Sequence, residues 1–103
     1  LRGTIPENIS ELDELRYLYL DYNQLSGEIP NSIGNLSNLY VLQLNSNRLS
    51  GQIPESICTL YYNNENFKTL LQFNQFCPLY PECIPEWHLG SETQVCTMGR
   101  LGE

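Results

Sequence analysis

Leucine and isoleucine recur along this chain at an interval of 24 residues. Leu18-Tyr19-Leu20 and Leu42-Gln43-Leu44 alternate inward leucines with other residues, which predicts a short strand in each interval. Before each strand, apolar residues lie three positions apart, as in a 3₁₀ or other helical turn; they are Ile9, Leu12, Leu15, Ile33, Leu36 and Leu39. The pattern predicts stacked coils, each with a strand, a turn and a return segment, whose strands are parallel.

Asparagine and glycine mark the turns between these segments. Asn23, Asn47 and Asn74 each follow the second inward leucine of a strand by three residues. Because a buried asparagine amide has both donors and acceptors, stacked copies can satisfy backbone groups where the chain leaves the strand. We therefore predict a structural asparagine ladder. Gly27-Glu28-Ile29-Pro30 and Gly51-Gln52-Ile53-Pro54 follow, where glycine permits a tight bend and isoleucine packs inward.

These motifs together resemble the plant-type leucine-rich repeat, with the consensus L-x-x-L-x-x-L-x-L-x-x-N-x-L-x-G-x-I-P-x-x-I. The match is almost position for position from Leu1 to Leu60 and continues in degraded form to Ile84. The resemblance implies a right-handed superhelical solenoid with a parallel β-sheet on its concave face and short 3₁₀ or irregular return segments. It also implies a secreted or cell-surface recognition protein. Receptor ectodomains, inhibitors of cell-wall-degrading enzymes and ice-binding proteins share this fold, so the fold alone does not decide the function.

The repeat changes after Leu60. Asn74 matches Asn47 only with a shift of 27 residues, which is three more than the regular interval of 24. We therefore divide the chain into regular repeats at 1–60, a degenerate last repeat at 61–84, and a C-terminal cap and tail at 85–103. Trp87 and Cys96 supply the bulk and the cross-link that a terminal cap needs.

All four cysteines lie between Cys58 and Cys96, and they allow three pairings. The 27-residue shift places Cys83 on the coil next to Cys58 and two positions out of register. Neighbouring coils stack about 5 Å apart, near the Cα separation that a disulfide accepts. We therefore favour Cys58–Cys83 with Cys77–Cys96. A zinc site is disfavoured because the chain has no Cys-x-x-Cys and only one histidine, His88.

Charge and cysteine content indicate where the protein acts. Five Lys and Arg against twelve Asp and Glu give a net charge of −7, which opposes nucleic-acid binding because that requires clustered cations. Paired cysteines predict an extracellular or cell-surface location. Two sequons, at Asn8 and Asn35, lie on predicted return segments, where N-linked glycans would leave the sheet free. The sequence shows no signal peptide or membrane span, and this absence says little. Because Leu1 falls within a repeat, we expect the C-terminal part of a longer array.

Outward residues of successive strands form columns on the predicted concave face. The candidate contact residues, column by column, are Tyr17, Val41 and Lys68; Tyr19, Gln43 and Leu70; Asp21, Asn45 and Gln72; and Tyr22, which shares its column with Ser46 and Phe73. Three tyrosines in one coil favour contacts with a protein or carbohydrate, although strands also favour tyrosine in general. Asp21 and Asn45 are candidates for binding a cation or a hydroxyl-rich ligand, or for ordinary hydration. The columns are too irregular and bulky for ice binding.

The sequence favours a non-catalytic module without a cofactor. It has no recognisable nucleophile beside His88, no glycine-rich phosphate loop and no paired carboxylates. Our first hypothesis is an extracellular module that binds a protein or glycan through the concave face. The alternative is a structural or adhesive protein that self-associates through its first coil, where Ile5, Ile9 and Leu12 have no preceding coil to cover them.

Overall fold

Two parallel β-sheets run along the solenoid in the computed structural model, which describes residues 1–96. The front sheet contains the strands that the leucine alternation predicts, in the order β2 (Tyr17–Tyr19), β4 (Val41–Gln43) and β6 (Lys68–Leu70). The side sheet contains β1 (Arg2–Thr4), β3 (Gln24–Gly27), β5 (Arg48–Gly51) and β7 (Gln75–Phe76), in that order. Its last three strands each follow a front strand along the chain. Every strand pair is parallel, as predicted.

The sequence pattern does not predict the side sheet. Its strands contain at most one large apolar side chain each, such as Leu25 in β3 and Leu49 in β5, so no apolar alternation marks them. Gly27 and Gly51 end β3 and β5 with φ of +78° and +74°, in the left-handed region that favours glycine. The bend at these glycines returns Ile29 and Ile53 to the core, where both are buried.

The return segments follow the prediction in two coils and depart from it in the third. Glu7–Glu11 and Asn31–Asn35 are 3₁₀ helices, each directly after a proline. The third return segment, α1 (Ile57–Asn63), is an α-helix, so the expectation of a 3₁₀ or irregular segment is wrong here. The extra residues of this coil lengthen the helix by Tyr61 and its neighbours. Within residues 1–96, α1 is the longest helix, at seven residues, and no helix is long and apolar enough to cross a membrane.

The core is the stack of inward leucines and isoleucines from successive coils. Its fully buried members include Ile33, Leu36, Leu42, Leu44, Leu49, Ile57, Leu71 and Phe76. In the first coil Ile5 and Ile9 are also buried, at 5% and 8% exposure, so the expectation that they lack cover is wrong. The second coil covers them because the two 3₁₀ helices pack together. Leu12 does remain open, at 56% exposure.

The asparagine ladder forms as predicted. Asn47 Nδ2 donates to the carbonyls of Leu20 (2.9 Å) and Leu44 (3.1 Å), while its Oδ1 accepts from the N–H of Leu25. Asn74 repeats the arrangement one coil later, and Asn23 Nδ2 donates to Leu20 O. Asn47 and Asn74 thus each join two coils at the point where the chain leaves the front sheet.

The C-terminal cap closes both sheets at their last strands. α2 (Glu86–Leu89) packs against β6, and directly after that strand the N–H of Leu71 donates to His88 O at 2.8 Å. The 3₁₀ helix Ser91–Thr93 follows α2. Gln94 imitates the next ladder asparagine: its Nε2 donates to Leu71 O (2.7 Å) and its Oε1 accepts from the N–H of Phe76 (3.2 Å).

Two disulfides cross-link the end of the solenoid, and one of them, Cys77–Cys96, joins the cap to the last coil. They join Cys58 to Cys83, with Cα atoms 5.6 Å apart, and Cys77 to Cys96, with Cα atoms 4.7 Å apart. Both pairings agree with the prediction. The last part of the predicted tail, 97–103, lies outside the described residues.

Candidate binding surface

The front sheet holds the predicted columns in register. Tyr17 pairs with Val41, which pairs with Lys68. Tyr19, Gln43 and Leu70 pair in the same way. The register follows from the period, because each coil repeats the chain path of its neighbour with inward leucines aligned.

Tyrosine dominates the exposed part of this sheet. Tyr17 and Tyr19 are 55% and 57% exposed, and their rings are parallel within 3° with centroids 6.5 Å apart. The ring of Tyr40, from the second coil, lies 6.2 Å from that of Tyr17, and the guanidinium of Arg16 lies 6.0 Å from the Tyr40 centroid. We call Tyr17, Tyr19, Tyr40 and Arg16 the tyrosine patch. It presents flat apolar rings with hydroxyl tips, a combination enriched at protein interfaces.

Sequence reasoning missed Tyr40 and Arg16. Both lie one residue before the strand alternation begins, and they are equivalent positions of neighbouring coils. The N–H of Tyr40 donates to Arg16 O at 2.7 Å, so the sheet pairing extends to this position. Extending the columns by one residue before each strand would have found them.

The fourth column lies where the chain leaves the sheet. Tyr22, Ser46 and Phe73 all have positive φ, at 55°, 63° and 59°. A left-handed conformation is costly for these residue types, and backbone bonds to the next coil hold it, such as Tyr22 N–H to Asn45 O at 3.0 Å. This turn leaves Tyr22 77% exposed and Phe73 62% exposed at the edge of the front sheet.

The polar column does not form one uniform site. Gln72 Nε2 donates to Trp87 O of the cap, so this side chain is engaged in the fold. Asp21 and Asn45 are half-buried, and Asn45 Oδ1 is buried with no donor among residues 1–96. The described residues contain no cluster of three His, Cys, Asp or Glu side chains that could hold a metal ion.

The repeat sequence also matches a known family. The Leucine Rich Repeat model matches residues 14–36 and 38–60, the two most regular coils. The chain belongs to the leucine-rich-repeat family. None of the curated proteins matches it significantly.

Solved structures of plant receptor ectodomains resemble this leucine-rich-repeat chain. The ectodomain of the Arabidopsis thaliana receptor kinase GASSHO1/SCHENGEN3, solved with Casparian strip integrity factor 2, is 38% identical, with a TM-score of 0.66; the match covers 74% of this chain and 9% of that one. A chain of the Arabidopsis BIR3–SERK2 complex is 33% identical (TM-score 0.72; 81% and 43% covered). The Arabidopsis BIR2 ectodomain is 32% identical (TM-score 0.72; 81% and 42% covered). The leucine-rich-repeat chain thus spans less than half the length of each.

The histidine of the leucine-rich-repeat chain is buried in the cap beside the front sheet. Its Nδ1 lies 2.7 Å from the hydroxyl of Tyr61 on α1. Burial lowers the pKa of His88 below its usual 6.5, and the positive charge of Lys68 lowers it further. Burial also raises the pKa of Tyr61. Both groups are therefore neutral at pH 7, and their hydrogen bond joins the third return segment to the cap.

The two sequons of the leucine-rich-repeat chain lie on return segments. Asn8 and Asn35 are exposed and belong to the 3₁₀ helices Glu7–Glu11 and Asn31–Asn35. Neither belongs to the front sheet.

Proposed function

We propose that this chain is a non-catalytic extracellular recognition module that binds a protein through the front sheet. The observation that carries the proposal is the tyrosine patch, where rings from two coils form a continuous exposed aromatic surface. Such residues bury a large apolar area at a small entropic cost because tyrosine has few rotatable bonds. Tyr22, Asp21 and Gln43 border the patch and would orient the partner through hydrogen bonds.

Support for an extracellular setting comes from the disulfides and the relatives. All four cysteines are paired, a state typical of oxidising compartments. The similar solved chains include receptor ectodomains, and two of these structures contain a protein partner by their printed names. Glycans on Asn8 and Asn35 belong to the same proposal, because their placement leaves the tyrosine patch accessible.

The test selects peptide ligands of the intact chain from a displayed library and measures the dissociation constant of each. We expect Tyr17→Ala with Tyr19→Ala to weaken binding of the selected peptides at least tenfold, because truncation of tyrosines at an interface commonly causes a loss of this size. The matched control is Tyr62→Ala, since Tyr62 is 81% exposed on α1 and lies outside the front sheet. Equal affinities for the double variant and the wild type would refute the placement of the site.

Self-association through the first coil is a second candidate function. The observation that favours it is the exposure of Leu1 (77%) and Leu12 (56%) on one coil. The net charge of −7 opposes contact between identical chains. Sedimentation of the chain over a range of concentrations tests this candidate: dimers that Leu12→Ser abolishes would support it, and a monomer at every concentration would exclude it.

A further inference from the structure

A second exposed apolar surface lies on the last coil, away from the front sheet. Leu79 and Tyr62 are 84% and 81% exposed, the highest values among the large apolar side chains of residues 1–96. Both line the same pocket, of about 590 Å³, together with Tyr80 and the Cys58–Cys83 disulfide. None of the lining residues belongs to the front sheet, so this pocket is separate from the tyrosine patch. Strongly exposed apolar side chains that converge on one concavity indicate an interaction site.

The loop that presents Leu79 is held at both ends. Cys77 is bonded to Cys96 and Cys83 is bonded to Cys58, so the segment 77–83 lies between two covalent links. Within it, Gln52 Nε2 donates to Pro78 O at 3.2 Å, and Tyr80 Oη donates to Phe76 O at 3.2 Å. An apolar side chain on a pre-ordered loop loses little conformational entropy when a partner covers it. Leu79 is therefore exposed on a segment whose conformation is fixed before a partner binds.

The charges around this pocket have one sign. Glu55 and Glu82 line it, and an adjoining pocket of about 450 Å³ shares Glu55 and Leu79 and adds Glu28. No Lys, Arg or His lines either pocket within the described residues. Burial raises the pKa of Tyr80, and the negative charge of Glu86 raises it further, which indicates a fourth carboxylate close by. A concave surface with carboxylates alone attracts cationic groups.

We propose that these two pockets form one groove that docks a basic segment of a partner protein. In this arrangement an aliphatic side chain of the partner packs against Leu79 and Tyr62. Lys or Arg side chains on either side of it lie against Glu55, Glu82 and Glu28. A second copy of this chain fits the groove poorly because each copy carries a net charge of −7. The groove and the tyrosine patch have no residue in common, so one molecule can hold two partners.

The test uses the full isotope-labelled chain and three synthetic peptides in low-salt buffer. The probe is acetyl-GKLKGKLKG-amide; its controls replace every lysine by glutamate or every leucine by serine. We expect saturable amide shifts at Glu55, Cys58, Leu79 and Glu82 with the probe and much weaker binding of both controls. Leu79→Ser, and separately Glu55→Gln with Glu82→Gln, should each weaken the probe at least fivefold. The double variant Tyr17→Ala with Tyr19→Ala should change the dissociation constant of the probe less than twofold.

These substitutions should not unfold the chain, because Leu79, Glu55 and Glu82 are all exposed. Each variant should therefore have the melting temperature of the wild type. Any of three results overturns the proposal: no saturable shift with the probe, equal binding of the three peptides, or shifts confined to the front sheet. A dimer of the wild-type chain that Leu79→Ser abolishes also overturns it, since the occupant is then a second copy.

Discussion

Replacing Gln94 by alanine should destabilise the whole solenoid. The side chain makes three hydrogen bonds: to Leu71 O (2.7 Å), to Leu89 O (2.9 Å) and from the N–H of Phe76 (3.2 Å). Leu71 O keeps a second donor in Asn74 Nδ2, but alanine leaves the other two groups without this partner. An unsatisfied buried backbone group costs about 1–3 kcal/mol. Because Gln94 is only half-buried, water offsets part of this cost, and we expect a loss of about 2–4 kcal/mol.

Urea unfolding followed by circular dichroism measures this loss directly. For a domain of this size, a loss of that order lowers the melting temperature by roughly 10–20 °C. Gln52→Ala is the matched control, since Gln52 is exposed and makes one bond, to Pro78 O; we expect a change within about 0.5 kcal/mol. If Gln94→Ala and Gln52→Ala unfold at the same urea concentration, Gln94 does not complete the ladder.

Two further substitutions test the packing of the coils. His88→Asn should flatten the pH dependence of stability between pH 7 and 5: the folded chain keeps His88 neutral below pH 6.5 while the unfolded chain protonates it, so the wild type loses stability as pH falls. Thermal melts at several pH values check this, and equal slopes for both proteins would contradict it. Gly34→Ala should cost about 1–3 kcal/mol because its Cβ would lie 2.6 Å from Ser56 O. A Gly34→Ala variant as stable as the wild type in urea would show that the coils can separate without cost.

Periodicity explains which parts of the fold are predictable. Leu20, Leu44 and Leu71 have equivalent neighbours in each coil, so one correct interpretation of the unit gives the front sheet, its register and the asparagine ladder. The Cys58–Cys83 pair is predictable for the same reason, because it joins adjacent coils near matching positions. The side sheet escapes prediction because its strands contain at most one large apolar side chain each and so show no alternation.

The cap follows no repeat and is only partly predictable. Cys96 and Trp87 indicate that a cap exists. Which side chain satisfies Leu71 O and the N–H of Phe76 depends on how 90–96 folds back, and a glutamine in that segment has no sequence signature. The helical form of α1 is similarly hidden, since three inserted residues can either extend a helix or form a loop.

Of the two proposed surfaces, one follows the repeat and was predictable from the sequence, whereas the other does not follow it and was not predictable. The columns of the tyrosine patch follow from the period, and Tyr40 lies one residue outside the alternation that reveals them. The groove around Leu79 and Tyr62 arises only where the period breaks: Tyr62 lies in the inserted part of α1, and Leu79 lies in the segment between two disulfides.

Repetition and interruption have different physical consequences in this solenoid. A regular coil must bury its leucines against identical neighbours, so it can vary only outward positions such as Tyr17 and Gln43. An inserted or capping segment has no identical neighbours; the disulfides to Cys58 and Cys96 stabilise it by restricting the unfolded chain. Once fixed in this way, the segment can expose an apolar side chain such as Leu79 without losing the fold. Binding specificity should therefore be sought in both places: in the outward columns of the regular coils and in the cross-linked loop where the repeat is interrupted.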